Sequence, residues 1–391
     1  MFIKRAMSER IKAGAKESPV IAIIGPRQSG KSTIAKELFK DHLYLDMQDA
    51  DLFEFANRDP KGFLNQHQTE HGIIIDEAQY APKLFSQIKV EVDKNRRPGY
   101  YILTGSQNFL LHEKISESLA GRVYFYSLLP LSIKELSQAK LQEPTALDQI
   151  AQGFYPHVYQ PHINREEYYQ NYISTYVERD IRTIRNIDQI LIFKRFMQLC
   201  ALRIGNTVNI TELASECNIG TGTAKSWLAL LETSFILFQL PPYYNNLGKR
   251  ITKSPKLYFY DVGLAFSLLH VDKASLSKQR ALYGALFENM SIIDIMKNLN
   301  AEGVHHNLTF YRDTNQNEVD LIIEAAGKVI PIEIKASETI QHSFFETALW
   351  FQKETKSEKP VIIYGGDQTG EGTDASTLSW HNLDQLVKKT K

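Results

Sequence analysis

Val20-Ile-Ala-Ile-Ile-Gly25-Pro26-Arg27-Gln28-Ser29-Gly30-Lys31-Ser32-Thr33 decides how this chain is read. Residues 20–24 are a continuous apolar run halted by glycine, the pattern of a strand buried on both faces. Gly25 to Thr33 fits G-x-x-x-x-G-K-[ST], and a helical stretch at 31–40 follows. In a strand–loop–helix setting that spacing has a mechanism. The glycines let backbone N–H groups wrap phosphate oxygens, and the start of the helix adds its positive dipole end. Gly25, Pro26, Arg27, Gln28, Ser29, Gly30, Lys31, Ser32 and Thr33 are therefore the expected ATP loop, with Lys31 on the β- and γ-phosphates and Ser32 on Mg²⁺. A chance match in an ordinary glycine turn is the bland alternative, and the flanking strand and helix count against it.

Working outward, short apolar runs at 43–45, 73–75 and 100–103 read as further buried strands with helices between them, and residues 3–16 as a mixed-charge helix. Strands alternating with helices predict a parallel sheet with right-handed crossovers. The run at 73–75 ends in Asp76-Glu77. Asp76 is expected to hold Mg²⁺ through water and Glu77 to polarise the attacking water. Alone, these would be two exposed carboxylates at a strand end. Beside the loop they have a use, because phosphoryl transfer needs both a phosphate cradle and a metal-side acid. The run at 100–103 leads into Thr104-Gly105-Ser106-Gln107, and Leu119-Ala-Gly-Arg122 precedes another strand-like run.

The strings GPRQSGKST, IIIDEAQ, LTGSQ, SLAGR and LLPLSIKEL resemble a widespread prokaryotic family of AAA-type P-loop ATPases, in which a domain of uncharacterised function follows the ATPase. The likeness covers nearly the whole chain. It implies ATP binding and assembly into a homo-oligomer, and names no substrate. It also implies that Thr104 or Ser106 senses the γ-phosphate, and that Arg122 is an arginine finger serving a neighbouring subunit. A surface ion pair explains Arg122 equally well.

The chain has 391 residues, 43% hydrophobic and 23% charged, with 45 basic and 45 acidic side chains. That is an ordinary globular composition for two or three domains. The zero net charge draws the whole chain onto neither nucleic acid nor an anionic membrane. Cys200 and Cys217 form no CxxC pair, which counts against a disulfide scaffold or a cysteine zinc site. The start carries charges and no signal-length apolar core, and no apolar stretch is long enough to span a bilayer. A cytoplasmic protein without a membrane partner is the expectation.

The fold class expected is α/β in four parts: a P-loop parallel-sheet AAA-type core at 1–130, a helical lid or linker at 131–205, a winged-helix-like region at 206–275, and a PD-(D/E)XK nuclease-like α/β domain at 276–391. In the third part, Leu213, Ala214 and Ile219 pack a first helix and turn. Thr223 to Glu232 form a second helix with Trp227, Leu230 and Leu231 inward and Lys225 and Ser226 outward. A hairpin from Phe235 to Tyr260 carries Lys249, Arg250, Lys253 and Lys256, which could contact DNA phosphates. DNA contact and a purely structural role are both open.

In the fourth part, a helix at 281–300 precedes strand-like segments at 307–312, 318–325 and 328–335, then a helix at 339–355 and a strand at 360–364. Glu288 lies on the first helix, Asp320 on a strand, and Glu333 and Lys335 two residues apart on the next, hence on one face. Acid, then acid-x-lysine, resembles the PD-(D/E)XK nuclease fold. There the acids hold Mg²⁺ or Mn²⁺ at the scissile phosphate, and the lysine activates water or steadies the developing charge. Asp320 and Glu333 are the metal candidates, with Glu288 in support. A solvated strand edge with one ion pair is the bland reading, and a nuclease-like fold used only for binding is the third. The tail after Gly366, rich in Gly, Thr and Ser, reads as partly mobile. His157, His162, His305 and His306 read as surface histidines, and Tyr168, Tyr169, Tyr172 and Tyr176 as packing. Arg179, Asp180 and Arg182 read as helix-surface pairs. The leading function is an ATP-hydrolysing machine acting on DNA with a metal-dependent nuclease-like domain. The alternative is a nucleotide-controlled signalling or scaffolding switch that binds a partner without cutting.

Overall fold

The computed structural model describes residues 2–106, 115, 117–175, 190–243, 254–313 and 317–391. Gln107, Tyr176, Arg179, Asp180, Arg182, Lys249, Arg250 and Lys253, singled out in the sequence, lie outside them. The chain divides into two compact units, Lys4–Pro130 with Thr233–Phe235, and Met1–Ile3 with Leu131–Glu232 and Ile236–Lys391.

In the first unit, Val20–Ile24 (β1), Leu43–Asp46 (β2), Ile73–Asp76 (β3), Tyr101–Gly105 (β4) and Val123–Ser127 (β5) form one sheet in the order β2-β3-β4-β1-β5. Every pairing is parallel. The three inner strands are buried at every residue, as their unbroken apolar runs require, while β2 and β5 at the edges each bury one residue. Ile21 and Ile23 share a face of β1 and join Ile11, Ala15, Ile34 and Ala35 from the helices Ser8–Glu17 and Lys31–Leu38 in one apolar cluster. The first helix begins at Ser8 rather than residue 3. Ahead of it, Arg5 is drawn into hydrogen bonds with distant carbonyls.

The second unit opens with the helices Ile133–Gln138, Ala146–Gln152, Arg165–Thr175 and Ile190–Ala201. The helices Ile210–Glu216 and Thr221–Thr233 then lead to an antiparallel hairpin of Leu237–Leu240 (β6) and Lys256–Phe259 (β7). Trp227 meets the edges of Phe193 and Phe196 at 5.0 and 5.5 Å between ring centroids. Tyr168, Tyr169 and Tyr172 are buried as packing groups.

The long helix Arg280–Ala301 follows, then His306–Arg312 (β8), Glu318–Ala325 (β9) and Lys328–Lys335 (β10), the helix Glu346–Thr355, and Val361–Tyr364 (β11). Strands β8, β9 and β10 are antiparallel neighbours, and β11 runs parallel to β10. The tail is built in rather than loose. Ser376–Ser379 (β13) pairs parallel with β11 and antiparallel with Gly370–Glu371 (β12), and Trp380 is 1% exposed. Polar composition hid this, because Leu378, Trp380, Leu383 and Leu386 are too widely spaced to read as an apolar run.

Asp261 is a joint of this second unit. It is buried and caps the helix Val262–Leu268 through Leu264 N–H. It also accepts from the Phe154 N–H at 2.7 Å and the Tyr169 hydroxyl at 2.8 Å. Removing such an acceptor leaves buried donors unmade, at about 1–3 kcal/mol each. Asp261→Ala should therefore lower unfolding free energy by about 3 kcal/mol or more, read as a shift in the denaturant midpoint.

Candidate functional site

Strand β1 delivers its chain into a loop whose backbone leaves no choice of residue at two points. At Gly25, φ is +151° and a Cβ would lie 2.2 Å from the Leu128 carbonyl oxygen. At Gly30, φ is +93°, and this residue caps the helix Lys31–Leu38. Ser29 is fully buried, with its hydroxyl unpartnered among the described residues. Lys31 is buried and donates to the Pro26 carbonyl at 2.7 Å. Burial pushes its pKa down to about 8, against the pull of Glu77 and Asp76, while Arg27 adds to the lowering. Ser32 is half-buried and Thr33 exposed. The first N–H groups of a helix, a glycine-lined turn and one buried cation form a cradle for phosphate oxygens.

Facing it are the acids that close β3. Asp76 is 4% exposed, with the Tyr44 hydroxyl donating to one oxygen at 2.5 Å and the Thr104 hydroxyl donating to the other. Glu77, the residue after β3, adopts left-handed backbone, φ +51°, which costs a non-glycine residue about 1–3 kcal/mol. Gln79 and Ser106 donate to that carboxylate, Ser106 at 3.2 Å. Strand β4 lies between β1 and β3, with Ile24 level with Gly105 and Ile75 level with Leu103. Thr104 and Ser106 thus emerge between the cradle and the acids. Thr104 is fully buried and spends its hydroxyl on Asp76, so Ser106 is the more open of the two only by a few per cent.

Tyr44 and Gln79 were not singled out in the sequence. Tyr44 had a faint signal, a hydroxyl in a short apolar strand, and Gln79 had its place at the end of the string IIIDEAQ. Arg122 lies just before β5, at the sheet edge opposite the carboxyl ends of the strands. Its guanidinium grips Asp93 with two bonds, 2.6 and 3.1 Å, and the Ala120 carbonyl at 2.9 Å. That hydrogen bonding holds the Asp93 carboxyl below its ordinary range.

The second unit gathers Glu288, Asp320, Glu333 and Lys335. The register Ile332↔Leu321 places Asp320 beside Glu333. Lys335 pairs with both, at 3.6 Å from Asp320. Helices pack on β10 from Arg280–Ala301 and Glu346–Thr355, so Glu333 is buried along with Ile332 and Ile334. The strand is covered rather than half-exposed. Lys256 and Tyr258, both of β7, join the cluster. Lys256 is 2% exposed and sits 3.1 Å from Glu288 and 2.5 Å from Glu318, and the Tyr258 hydroxyl donates to Glu288. This corrects the expectation that Lys256 is a hairpin cation available to DNA phosphates. Lys225 and Ser226 are exposed.

Burial raises Glu288 to about 7 and Glu333 to about 8, with Asp320 adding to both. Burial alone would lower Lys256, but Glu288, Asp320 and Glu318 outweigh it and its pKa is raised. One Glu333 oxygen has no hydrogen-bond partner among the described residues. Among them, no three His, Cys, Asp or Glu side chains converge as a metal site. Lys256 and Lys335 are the cations that this cluster holds against its acids. His157, His162 and His305 are exposed, whereas His306, also expected at the surface, is half-buried with a ring nitrogen 2.8 Å from the Val304 carbonyl. Among the described residues, no helix is long and apolar enough to cross a membrane.

Residues 17–137 match the family described as AAA domain. The amino-terminal unit therefore carries an AAA-type ATPase-like domain. Residues 144–275 and 283–382 match two families described as Domain of unknown function, DUF8612 and DUF4143. An uncharacterised protein of Mycobacterium tuberculosis is 29% identical over 339 residues, 86% of this chain and 74% of the relative. One of Haemophilus influenzae is 23% identical over 356 residues, 82% and 83% of the two chains. Among solved structures, the Walker-type ATPase PABY2304 of Pyrococcus abyssi gives a TM-score of 0.47 at 14% identity, covering 68% of this chain and 96% of that one. The RuvB Holliday junction branch migration motor of Thermotoga maritima gives 0.31 at 16%, covering 60% and 87%. At such scores neither likeness bears on function.

The acid cluster has a pH signature. Glu333 keeps its proton in the folded chain up to about 8, whereas an ordinary glutamate releases it near 4.5. The folded state thus binds more protons across that window, and this group's stabilising contribution falls as pH rises through it. Glu333→Gln, which mimics the protonated form, should gain stability relative to wild type between pH 5 and pH 8. Urea unfolding at the two pH values measures it, and a difference that stays constant would refute the assignment.

Proposed function

We propose that the amino-terminal unit binds ATP with Mg²⁺ and hydrolyses it, and that the cycle controls the rest of the chain. The observation that carries this reading is the shared edge of the parallel sheet, where the Gly25–Thr33 cradle, Asp76, Glu77 and Ser106 emerge from adjacent strands. Ser32 and Asp76 are the residues that would hold Mg²⁺, which supplies charge neutralisation on the phosphate oxygens. Lys31 brings the cation for the β- and γ-phosphates. Glu77, held by Ser106 and Gln79, orients the attacking water and accepts its proton. Tyr44 and Thr104 fix the Asp76 carboxylate. In a homo-oligomer, Arg122 would exchange Asp93 for a neighbouring chain's nucleotide.

For the second unit, the lysines favour a partner-binding role without cutting. Lys256 and Lys335 already pair with the acid cluster, and no third His, Cys, Asp or Glu side chain closes a cation site on Asp320 and Glu333 among the described residues. The chain is then a nucleotide-controlled switch, with DNA the first partner to test because a PD-(D/E)XK-like order of helix and strands suits it.

Lys31→Ala should abolish ATP binding in calorimetry. Glu77→Gln should keep binding and lose about 100-fold or more in hydrolysis, the usual worth of a positioned base. If Arg122 acts in trans, mixing Arg122→Ala chains with Lys31→Ala chains should restore part of the activity. Wild-type ATP affinity in Lys31→Ala would sink the nucleotide reading.

Incubating the protein with ATP, Mg²⁺ or Mn²⁺ and plasmid or single-stranded DNA should give no cleavage. Cleavage that disappears in both Asp320→Ala and Lys335→Ala, with ATPase activity kept, would instead establish a metal-dependent nuclease.

A further inference from the structure

Arg5 precedes the first helix, ahead of the residues that match the AAA family. It is 6% exposed. A guanidinium is costly to bury unless acceptors take its N–H groups. One terminal nitrogen donates to the Ser29 carbonyl at 2.8 Å, and the other to the Leu129 carbonyl at 2.6 Å. Ser29 belongs to the phosphate cradle. Leu129 follows Leu128, whose N–H donates to Ile24 at 2.8 Å and whose carbonyl lies against Gly25. Arg5 therefore fastens the late part of the cradle to the segment that already braces its beginning.

We infer that Arg5 is the positioning residue of the phosphate loop. The inference rests on the nucleotide reading above. A trans peptide holds its C=O and the following N–H in one plane, pointing opposite ways. With the Ser29 carbonyl drawn onto Arg5, the Gly30 N–H is turned away from Arg5. Gly30 has no side chain with which to hold its φ of +93°, and glycine populates many other conformations. An outside clamp selects this one. The charge on the carbonyl also polarises the peptide and strengthens its N–H as a donor to an anion. Lys31 does the same to the Pro26 carbonyl, which turns the Arg27 N–H away from Lys31. The two cations have different duties. Lys31 opens onto the cradle, while Arg5 is tied to two carbonyls behind it.

The test uses the full chain as wild type, Arg5→Gln and Arg5→Lys. Fluorescent ATP and ADP analogues are titrated in the presence of Mg²⁺, well below the melting temperature of each protein. Arg5→Gln should weaken both nucleotides by about tenfold or more, roughly what losing one charged hydrogen bond costs. Arg5→Lys keeps the charge but cannot fork onto two carbonyls, so its affinity should fall between the other two. In steady-state hydrolysis the loss should fall on KM more than on kcat. A merely structural role would lower the melting temperature and leave the affinity of the folded molecules unchanged. Wild-type affinity in Arg5→Gln overturns the inference and spares the nucleotide reading. If Arg5→Gln does not fold, wild-type affinity in Arg5→Lys overturns it. A wild-type chain that binds no ATP overturns both.

Discussion

Parallel pairing is the constraint on which the chemistry of the amino-terminal unit depends. Strands that run one way deliver all their carboxyl ends to one edge, where ligands of open α/β sheets bind. The order β2-β3-β4-β1-β5 then does the rest. It sets the polar end of β4 between the loop after β1 and the acids after β3, so three stretches far apart in sequence meet at one place. Burial on both faces of the inner strands fixes the register. A slip of one residue would turn Asp76 to the opposite face of β3, away from Tyr44 and Thr104.

Much of this fold is legible in the sequence for one physical reason. Fully buried strands are unbroken apolar runs that end where the chain turns polar, and Val20–Ile24 and Ile73–Asp76 end that way. The same logic delimited β8, β9 and β10 by turn residues. Side-chain contacts made across the sheet were less legible. Tyr44 reaches Asp76 from a strand 32 residues earlier, and only its hydroxyl in a short apolar run marks it. Lys256 looked like a hairpin cation because basic residues cluster around it in sequence. Its burial follows from acids on a helix and strand that come later, Glu288 and Glu318. Arg5 was hidden inside an apparently continuous charged helix, since helical periodicity says nothing about a guanidinium that leaves the helix to reach a carbonyl. The tail failed for a different reason. A short strand such as β13, held by ladders to β11 on one side and β12 on the other, needs few apolar residues of its own.

The contrast between two buried lysines separates the two units chemically. Lys31 and Lys256 are both shut away from water, yet burial wins at Lys31 and lowers its pKa, while carboxylates win at Lys256 and raise it. At Lys256 the charge is answered by Glu288 and Glu318 within the unit, and removing one partner of such a buried pair costs about 3–5 kcal/mol. That is how a fold spends charge on holding its own parts together. At Lys31 the hydrogen-bond partner is a neutral carbonyl, and the nearby acids, Asp76 and Glu77, are engaged by Tyr44, Thr104, Gln79 and Ser106. The cation is left under-compensated, and the same loop holds a buried serine hydroxyl with no partner among the described residues. An under-compensated buried cation is unfavourable to the empty fold and becomes favourable when an anion arrives, so the stability given up at Lys31 is returned as affinity. Electrostatically, the first unit leaves a buried cation short of counter-charge, and the second sets its buried lysines among carboxyl groups.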